Sequence, residues 1–355
     1  ISMKLSALFP RYEEAQRERV FAELLPRVWS LIEPAARANI NLTIDAEESE
    51  RLELSLDVMD ALAARIATSF PQLGGFGLAV QSYLTTALAV VDEVAAMARR
   101  HGLKFMVRLV KGAYWDGEVK RAQEAGLPGY PVFTHKHHTD ISYLACARAL
   151  IGHHELIYPQ FATHNAGTIA AILQMAREQG AAFEFQRLHG MSEGTYREVS
   201  RSVPAGGMTS TPPAPADQAG GPSEVPVRVY APVGLHRDLL AYLVRRLLEN
   251  GANSSFVHQL ADDSVSTDEL LASPLQARDG AGLPLPVALY GAARANSTGV
   301  DLAGLAMREP LEQAVPHCAR ARPGIGRIGR HADHEDLSLS EPGIDGAQLP
   351  QRAGE

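Results

Sequence analysis

Apolar strand-like segments alternate with amphipathic helical segments along about the first 260 of the 355 residues. The pattern predicts strands at residues 3–8, 41–45, 77–82, 104–110, 156–162, 182–188 and 227–231, with a weaker one at 253–257. Helical periodicity fills intervals between them, at residues 47–70, 87–99, 168–179 and 236–249. Several strands are nearly continuous apolar runs, which is typical of strands covered on both faces. This alternation favours an α/β fold of the (βα)8 barrel type, which needs about 250 residues, over a doubly wound sheet.

Composition narrows the class of protein. Hydrophobic residues make up 46% and charged residues 21% of the chain, which excludes a wholly disordered or collagen-like protein. The formal net charge of −8 offers no general attraction for nucleic acid. Two cysteines, Cys146 and Cys318, cannot form a disulfide framework. Since no apolar run approaches the ~20 residues needed to span a bilayer, we expect a soluble chain in a reducing, cytoplasmic compartment.

Two changes in composition divide the chain. Residues 204–226 are rich in Pro, Gly, Ala, Ser and Thr, which is typical of a mobile insert before the last clear strand. The residues after 316 show no hydrophobic period and are expected to be disordered. We therefore predict a distorted barrel over residues 1–262, a C-terminal extension of helix and linker over 263–315, and a tail over 316–355.

Polar side chains stand at the carboxyl ends of the predicted strands, and in a barrel these ends converge on one mouth. They are Lys4, Asp45, Gln81, Arg108 with Lys111, Thr163 with His164, and Tyr230, beside the apolar Leu188. Cations outnumber carboxylates in this set, which indicates an anionic ligand carrying a carboxylate, phosphates or both. Arg245 and Arg246 are adjacent in an apolar helical stretch. Either the two arginines clamp a carboxylate of the ligand, or one is solvated and the other extends its charged end to the surface.

Seven motifs carry a resemblance to a known family. They are Ser-Met-Lys-Leu-Ser-Ala-Leu8, Ile-Asp-Ala-Glu-Glu48, Val-Arg-Leu-Val-Lys-Gly-Ala-Tyr-Trp115, Phe-Ala-Thr-His-Asn165, Glu-Phe-Gln-Arg-Leu-His-Gly-Met191, Arg-Val-Tyr-Ala-Pro-Val-Gly234 and Tyr-Leu-Val-Arg-Arg-Leu-Leu-Glu-Asn-Gly-Ala-Asn253. In this order they resemble the proline dehydrogenase barrel of the bifunctional proline utilization A family. The segment from Leu283 to Asn296 also resembles the linker towards that family's aldehyde dehydrogenase domain, and we find no such domain in the sequence.

The resemblance implies FAD-dependent oxidation of L-proline to Δ1-pyrroline-5-carboxylate, the first step of proline catabolism. It implies that Asp45 and Arg108 are catalytic, and that the substrate is bound by Lys4, Leu188, Tyr230, Arg245 and Arg246. The residues implied to bind the cofactor are Ala46, Gln81, Arg108, Lys111, Gly112, Ala113, Trp115, Thr163 and His164. It further implies a membrane quinone as electron acceptor, and peripheral contact with the inner membrane without a transmembrane segment.

Two other functions are compatible with parts of the sequence. The motif Gly190-Met-Ser192-Glu-Gly194 matches the nucleophile elbow of serine hydrolases, with Asp238 and His258 as later triad partners. An inactive barrel that acts as an interaction module is the other alternative. The His135, His137 and His138 cluster resembles a metal site only superficially, because adjacent histidines do not readily face one ion, and we predict no metal.

Overall fold

Seven parallel strands form one sheet in the structure, a computed structural model that describes residues 1–202, 225–251, 256–260, 262–276 and 282–320. The strands are β1 (Ser2–Met3), β2 (Leu42–Ile44), β3 (Phe76–Gln81), β4 (Phe105–Val110), β5 (Ile157–Ala162), β6 (Glu184–Leu188) and β7 (Val227–Tyr230). Each strand pairs in parallel with the next one along the chain. The sheet is curled into a half-barrel, which confirms the predicted α/β barrel architecture.

Helices lie between the strands and also follow the last of them. They are α1 (Leu5–Leu8), α2 (Arg17–Arg19), α3 (Leu25–Arg37), α4 (Leu52–Ser69), α5 (Ala87–His101), α6 (Trp115–Glu124), α7 (Lys136–Gly152), α8 (Ala166–Gln179), α9 (Glu193–Ser202), α10 (His236–Gly251), α11 (Phe256–Leu260), α12 (Thr267–Leu270) and α13 (Leu305–Arg320). Helices α4, α5, α8 and α10 confirm the four helical segments predicted from periodicity. Within the described ranges, no helix is both long enough and apolar enough to cross a membrane.

Two predicted strands are wrong in whole or in part. The chain leaves the sheet after Met3, and α1 begins at Leu5, although residues 3–8 were expected to be a strand. Leu5 is buried within this helical turn, and a short apolar run of this kind does not distinguish a strand from a buried helix. At 253–257, Phe256 begins α11, while residues 253–255 lie outside the described part of the chain.

The chain divides by its internal contacts into Ile1–Glu309 and Pro310–Glu355. Of the second unit, residues 310–320 are described, and they are helical. Most of the predicted insert at 204–226 and the tail beyond 320 lie outside the described residues. The boundaries at 262 and 315 therefore stay predictions.

An aromatic cluster fixes the position of β6. The ring of Phe183 lies 5.6 Å from that of Phe161 and 5.1 Å from that of Phe185, measured between centroids, and Tyr196 of α9 packs 5.7 Å from Phe185. Successive side chains of a strand point to opposite faces of the sheet. With the aromatic residues packed on one face of β6, its intervening polar side chains are presented on the other face.

A strap, residues 282–304, packs along α6. The amide of Gly299 donates to the carbonyl of Gly126 at 2.9 Å, and the Asn296 side chain donates to the carbonyl of Gln123 at 3.1 Å. The hydroxyl of Tyr130 donates to the carbonyl of Pro284 at 2.8 Å. The strap therefore supports the helix that follows the carboxyl end of β4.

Gly77 permits the close approach of β3 to β4. A Cβ atom at this position would lie 1.7 Å from the carbonyl oxygen of Met106, which is backbone and cannot move aside independently. We expect Gly77→Ala to lower the free energy of unfolding by about 3 kcal/mol, the upper part of the range for an overpacked core. Urea unfolding followed by far-UV circular dichroism would measure this change.

Gly117→Ala provides the matched control, because nothing lies within 4 Å of a Cβ atom at that position in α6. Alanine favours helix by up to about 1 kcal/mol over glycine, so this variant should be as stable as the wild type or more stable. Equal unfolding midpoints for the two variants would contradict the predicted contact at Gly77.

Candidate active site at the mouth of the barrel

A cavity of about 440 Å³ opens at the carboxyl ends of β4, β5, β6 and β7. Sixteen residues line this mouth cavity: Arg108, Val110, Lys111, Gly112, Ala113, Lys136, Ala162, Thr163, His164, Asn165, Gln186, Arg187, Leu188, Met191, Tyr230 and Phe256. Eight of the predicted site residues are among them, namely Arg108, Lys111, Gly112, Ala113, Thr163, His164, Leu188 and Tyr230. The structure thus brings together residues that lie more than 100 positions apart in the sequence.

Arg108 is the most constrained side chain of the mouth cavity. It projects from β4, is 8% exposed, and donates hydrogen bonds from all three of its guanidinium nitrogens. Nη1 donates to Asp45 at 2.6 Å, Nε donates to the amide oxygen of Gln186 at 2.9 Å, and Nη2 donates to the hydroxyl of Tyr230. The guanidinium also lies 4.3 Å from the centre of the Tyr230 ring. A buried cation needs such partners, and here they fix its orientation.

Asp45 follows the end of β2 and pairs with Arg108 across the barrel. Burial raises the pKa of Asp45 above its ordinary value, because the charged carboxylate loses hydration. The positive charges of Arg108 and Lys4 oppose this shift. The carboxylate thus combines incomplete hydration with a direct hydrogen bond to the cation.

A second group of cations lines the mouth cavity. Lys111 pairs with Asp140 of α7, and Lys136 lies 3.4 Å from the same carboxylate. Burial lowers the pKa of Lys111, and the neighbouring charge of Lys136 lowers it further, whereas Asp140 acts to raise it. With Arg108 and Arg187, these two lysines give the cavity four cationic side chains, which suit an anionic ligand.

Gly112 allows the chain to turn from β4 into α6 beside the cavity. Its φ of 142° is a conformation that side-chain-bearing residues rarely adopt, and a Cβ atom there would lie 2.4 Å from the ring of Tyr83. The following amide, that of Ala113, donates to the side-chain oxygen of Gln81 at 3.3 Å. Glycine is therefore required for the backbone to line the cavity at this point.

Five predicted residues lie outside the lining of the mouth cavity. Lys4 is exposed and donates to the hydroxyl of Tyr114 at 2.6 Å. Burial acts to lower the pKa of Lys4. The hydrogen bond with Tyr114 and the nearby carboxylates act more strongly in the opposite direction, so the pKa is raised overall. Asp45, Ala46 and Gln81 line a smaller cavity of about 30 Å³.

The fifth residue outside the lining is Trp115. It begins α6, and its indole N–H donates to the carbonyl of Phe133 at 2.8 Å. The indole is about one-third exposed, so a large apolar surface is left at the start of this helix.

Arg245 and Arg246 stand in the second half of α10, and their side chains lie outside the described part of the structure. Their predicted role as a carboxylate clamp stays a prediction.

The serine motif does occupy a turn between a strand and a helix. Gly190 and Ser192 have φ values of 79° and 51°, and the carbonyl of Ser192 accepts the amide of Tyr196 at 3.2 Å as α9 begins. Of the two residues predicted as triad partners of Ser192, His258 lies in α11, and the side chain of Asp238 is outside the described part of the structure.

The three clustered histidines lie at the start of α7, with ring centroids 4.2 to 5.5 Å apart. In the part of the chain that the structure describes, no three His, Cys, Asp or Glu side chains are arranged so that they could hold a metal ion.

Sequence reasoning missed several polar residues of the site. Gln186 lines the mouth cavity and contacts Arg108, and Glu184, two residues earlier, accepts a hydrogen bond from Gln186 at 2.7 Å. The available signal was the alternation of Glu184 and Gln186 with Phe183 and Phe185, which places the two polar side chains on one face of β6. Lys136 was missed because it is the first residue of α7, away from any strand end.

Comparison with known proteins identifies relatives across most of the chain. A sequence model of the proline dehydrogenase family matches residues 1–259. The bifunctional protein PutA of Klebsiella aerogenes is 49% identical over 320 residues, which is 85% of this chain and 23% of that protein. PutA of Escherichia coli is 48% identical over 336 residues, covering 90% of this chain and 24% of that protein.

A crystal structure of a variant of proline utilization A from Bradyrhizobium japonicum superposes with a TM-score of 0.77. It is 48% identical, and the match covers 89% of this chain and 31% of that one. Proline dehydrogenases are in general flavin-dependent, and these relatives favour the oxidoreductase over the two alternative functions. The chain spans about a quarter of the length of the curated relatives named above.

The opposing effects on Lys111 lead to a pH-dependent prediction. Asp140→Asn removes the carboxylate that raises the pKa of Lys111, so burial should lower that pKa further. The neutral, nucleophilic amine would then form at lower pH. The test is to acetylate cofactor-free protein with acetic anhydride at a series of pH values and to measure the labelling of each lysine by peptide mass spectrometry. The midpoint of Lys111 labelling should lie at lower pH in Asp140→Asn than in the wild type.

Lys120 provides the internal control in the same samples, because its side chain is 75% exposed and it pairs with Glu124 rather than with Asp140. Its labelling should be the same in both proteins. An unchanged midpoint for Lys111 in Asp140→Asn would contradict the electrostatic role assigned to Asp140.

Proposed function

Because this chain belongs to the proline dehydrogenase family, we propose that it oxidises L-proline to Δ1-pyrroline-5-carboxylate with bound FAD. The observation that carries the proposal is the buried guanidinium of Arg108, held by three partners at the edge of a cavity with three further cations. The reaction removes a hydride from the carbon next to nitrogen and a proton from the nitrogen, which leaves the C=N bond of the product.

The residues of the mouth cavity fit an anionic cofactor with a flat ring system. The volume of the mouth cavity, about 440 Å³, is within the usual range for ligand pockets of about 300–1,000 Å³. Apolar side chains such as Val110 and Leu188 alternate on its lining with cationic groups. The residues that would hold FAD are Arg108, Lys111, Gly112, Ala113, Thr163 and His164, with Ala46, Gln81 and Trp115 beside them. When bound, FAD supplies a two-electron oxidant that accepts the hydride.

Arg108 is the proposed catalytic cation. A guanidinium already fixed by hydrogen bonds stabilises negative charge that develops beside it without first having to reorient. Asp45 is the proposed acidic member of the same network, since its carboxylate accepts from Nη1 of Arg108. Both residues would act in the part of the site where hydride is transferred.

Recognition of proline requires groups for one carboxylate and one small ring. We assign the carboxylate to Lys4, Arg245 and Arg246, and the ring to Leu188 and Tyr230. The two ring-binding residues line the mouth cavity, and a fixed position for the ring brings its carbon into a reactive geometry. The contact of Lys4 with Tyr114 holds its ammonium group in one place beside α6.

The electron acceptor and location follow from the family resemblance. We assign reoxidation of the cofactor to a membrane quinone and place the protein in the cytoplasm, at the periphery of the inner membrane.

The visible spectrum tests the proposed function directly. Protein purified and reconstituted with FAD should show flavin absorbance, and anaerobic addition of L-proline should bleach it because the hydride reduces the flavin. D-Proline serves as the control and should bleach it far more slowly, since its carboxylate cannot reach the same cations with the ring in place. A chain that acquires no flavin absorbance would reject the proposal.

Replacement of Arg246 tests the carboxylate clamp. A hydrogen bond to a charged group contributes about 1.5–3 kcal/mol, so Arg246→Met should lower kcat/KM for proline at least about tenfold while FAD stays bound. Arg246→Lys should recover only part of the activity, because an ammonium group lacks the bidentate geometry of a guanidinium. Steady-state kinetics with a dye acceptor would measure both variants.

Arg148→Met is the control for this replacement, since Arg148 is exposed on α7 and does not line the mouth cavity. Its kcat/KM should match that of the wild type. If Arg246→Met behaves like Arg148→Met, the clamp is wrong and the arginine pair belongs to a solvated helix face.

A further inference from the structure

Glu184 carries a buried charge that the proposed chemistry does not use. It lies on β6, is 2% exposed and does not line the mouth cavity. Its Oε1 accepts from Gln160 at 2.9 Å, from Gln186 at 2.7 Å and from Nε of Arg228 at 2.7 Å. Its Oε2 accepts from Nη2 of Arg228 at 2.8 Å. This carboxylate is therefore the common acceptor for groups from β5, β6 and β7.

The hydrogen bond to Gln186 determines which end of that amide faces Arg108. A glutamine side chain has an oxygen that only accepts and a nitrogen that only donates. The nitrogen of Gln186 donates to Glu184, so the oxygen is directed to Nε of Arg108, 2.9 Å away. The reverse orientation would place two donors against each other at Arg108 and two acceptors against each other at Glu184. Both contacts are unfavourable in a buried site.

The charge of Glu184 is compensated locally. Arg228 meets it with two nearly parallel hydrogen bonds, a geometry typical of a strong arginine–carboxylate pair. Because the charges of Glu184 and Arg228 cancel, Glu184 influences Arg108 mainly through hydrogen-bond geometry rather than through net charge.

We propose that Glu184 is a positioning residue for the oxidation of proline, acting through Gln186 to fix the guanidinium of Arg108 in its catalytic orientation. This inference rests on the proposed function. It assigns a role to a residue that contacts neither the mouth cavity nor Arg108. For this role, the side chain at position 184 must accept a hydrogen bond from Gln186, and it need not be charged.

A pair of double variants separates the acceptor from the charge. Glu184→Met with Arg228→Met removes both charges and the acceptor, and apolar replacement of a complete buried ion pair is often tolerated. Glu184→Gln with Arg228→Met also removes both charges but keeps an oxygen that accepts from Gln160 and Gln186. The full chain, loaded with FAD, is used in each case. The rate of flavin reduction by proline and the midpoint potential of the flavin are measured.

The Met/Met variant should reduce its flavin about tenfold more slowly, since a small misplacement of a catalytic group has effects of this order or larger. Its midpoint potential should become more negative, by about 30 mV for a tenfold change in the two-electron equilibrium. The Gln/Met variant should match the wild type in both measurements. Gln186→Met should cause a smaller loss in the Met/Met variant than in the wild-type chain, because part of the connection is already broken there.

Identical behaviour of the two double variants would overturn the proposal, as would a wild-type rate and potential in the Met/Met variant. If the Met/Met variant does not fold, Gln186→Met in the otherwise wild-type chain breaks the same connection, and a wild-type rate and potential in it would overturn the proposal. The proposed function fails separately, and the inference with it, if the wild-type chain binds no flavin or proline does not reduce it.

Discussion

A guanidinium cannot be buried in the interior of a barrel unless the rest of the barrel supplies its hydrogen-bond acceptors. For Arg108 on β4, the acceptors come from the end of β2 and from β6 and β7. In a flat sheet, β2 and β7 would lie about 10 and 14 Å from β4, at about 4.8 Å per strand, which is too far for simultaneous contact. The curl of the sheet brings both within reach. The geometry of one side chain therefore depends on the curvature of the whole sheet.

The positions of most strands could be predicted because their apolar runs and polar ends are local properties of the sequence. The helix at Leu5–Leu8 could not, since what buries Leu5 is the packing of the rest of the chain. At the site, position at a strand end was sufficient to indicate Arg108 and Tyr230. It was insufficient for Glu184, because a charge within a strand ordinarily indicates a solvated face. Its partner Arg228 lies 44 residues later, and only the fold shows that the two meet.

Each cation of the mouth cavity has a carboxylate beside it. Asp45 accompanies Arg108, Asp140 accompanies Lys111 and Lys136, and Glu193 accompanies Arg187. These partners hold the cations in place before any ligand arrives, so a ligand need not meet the cost of ordering flexible side chains. They also reduce the positive potential outside the cavity. Orientation, rather than an excess of positive charge, is what the site offers.

This pairing gives the mouth cavity different electrostatics at long and short range. A distant anion senses the formal net charge of −8 and is repelled, whereas an anion at the mouth meets the four cations that line the cavity. Dissolved ions screen charges separated by more than about 8 Å at physiological ionic strength, and act less on partly buried groups. Moderate salt therefore weakens the repulsion of an approaching anion more than its final contacts. Ionic strength, which slows many associations between charged partners, favours the arrival of an anion here.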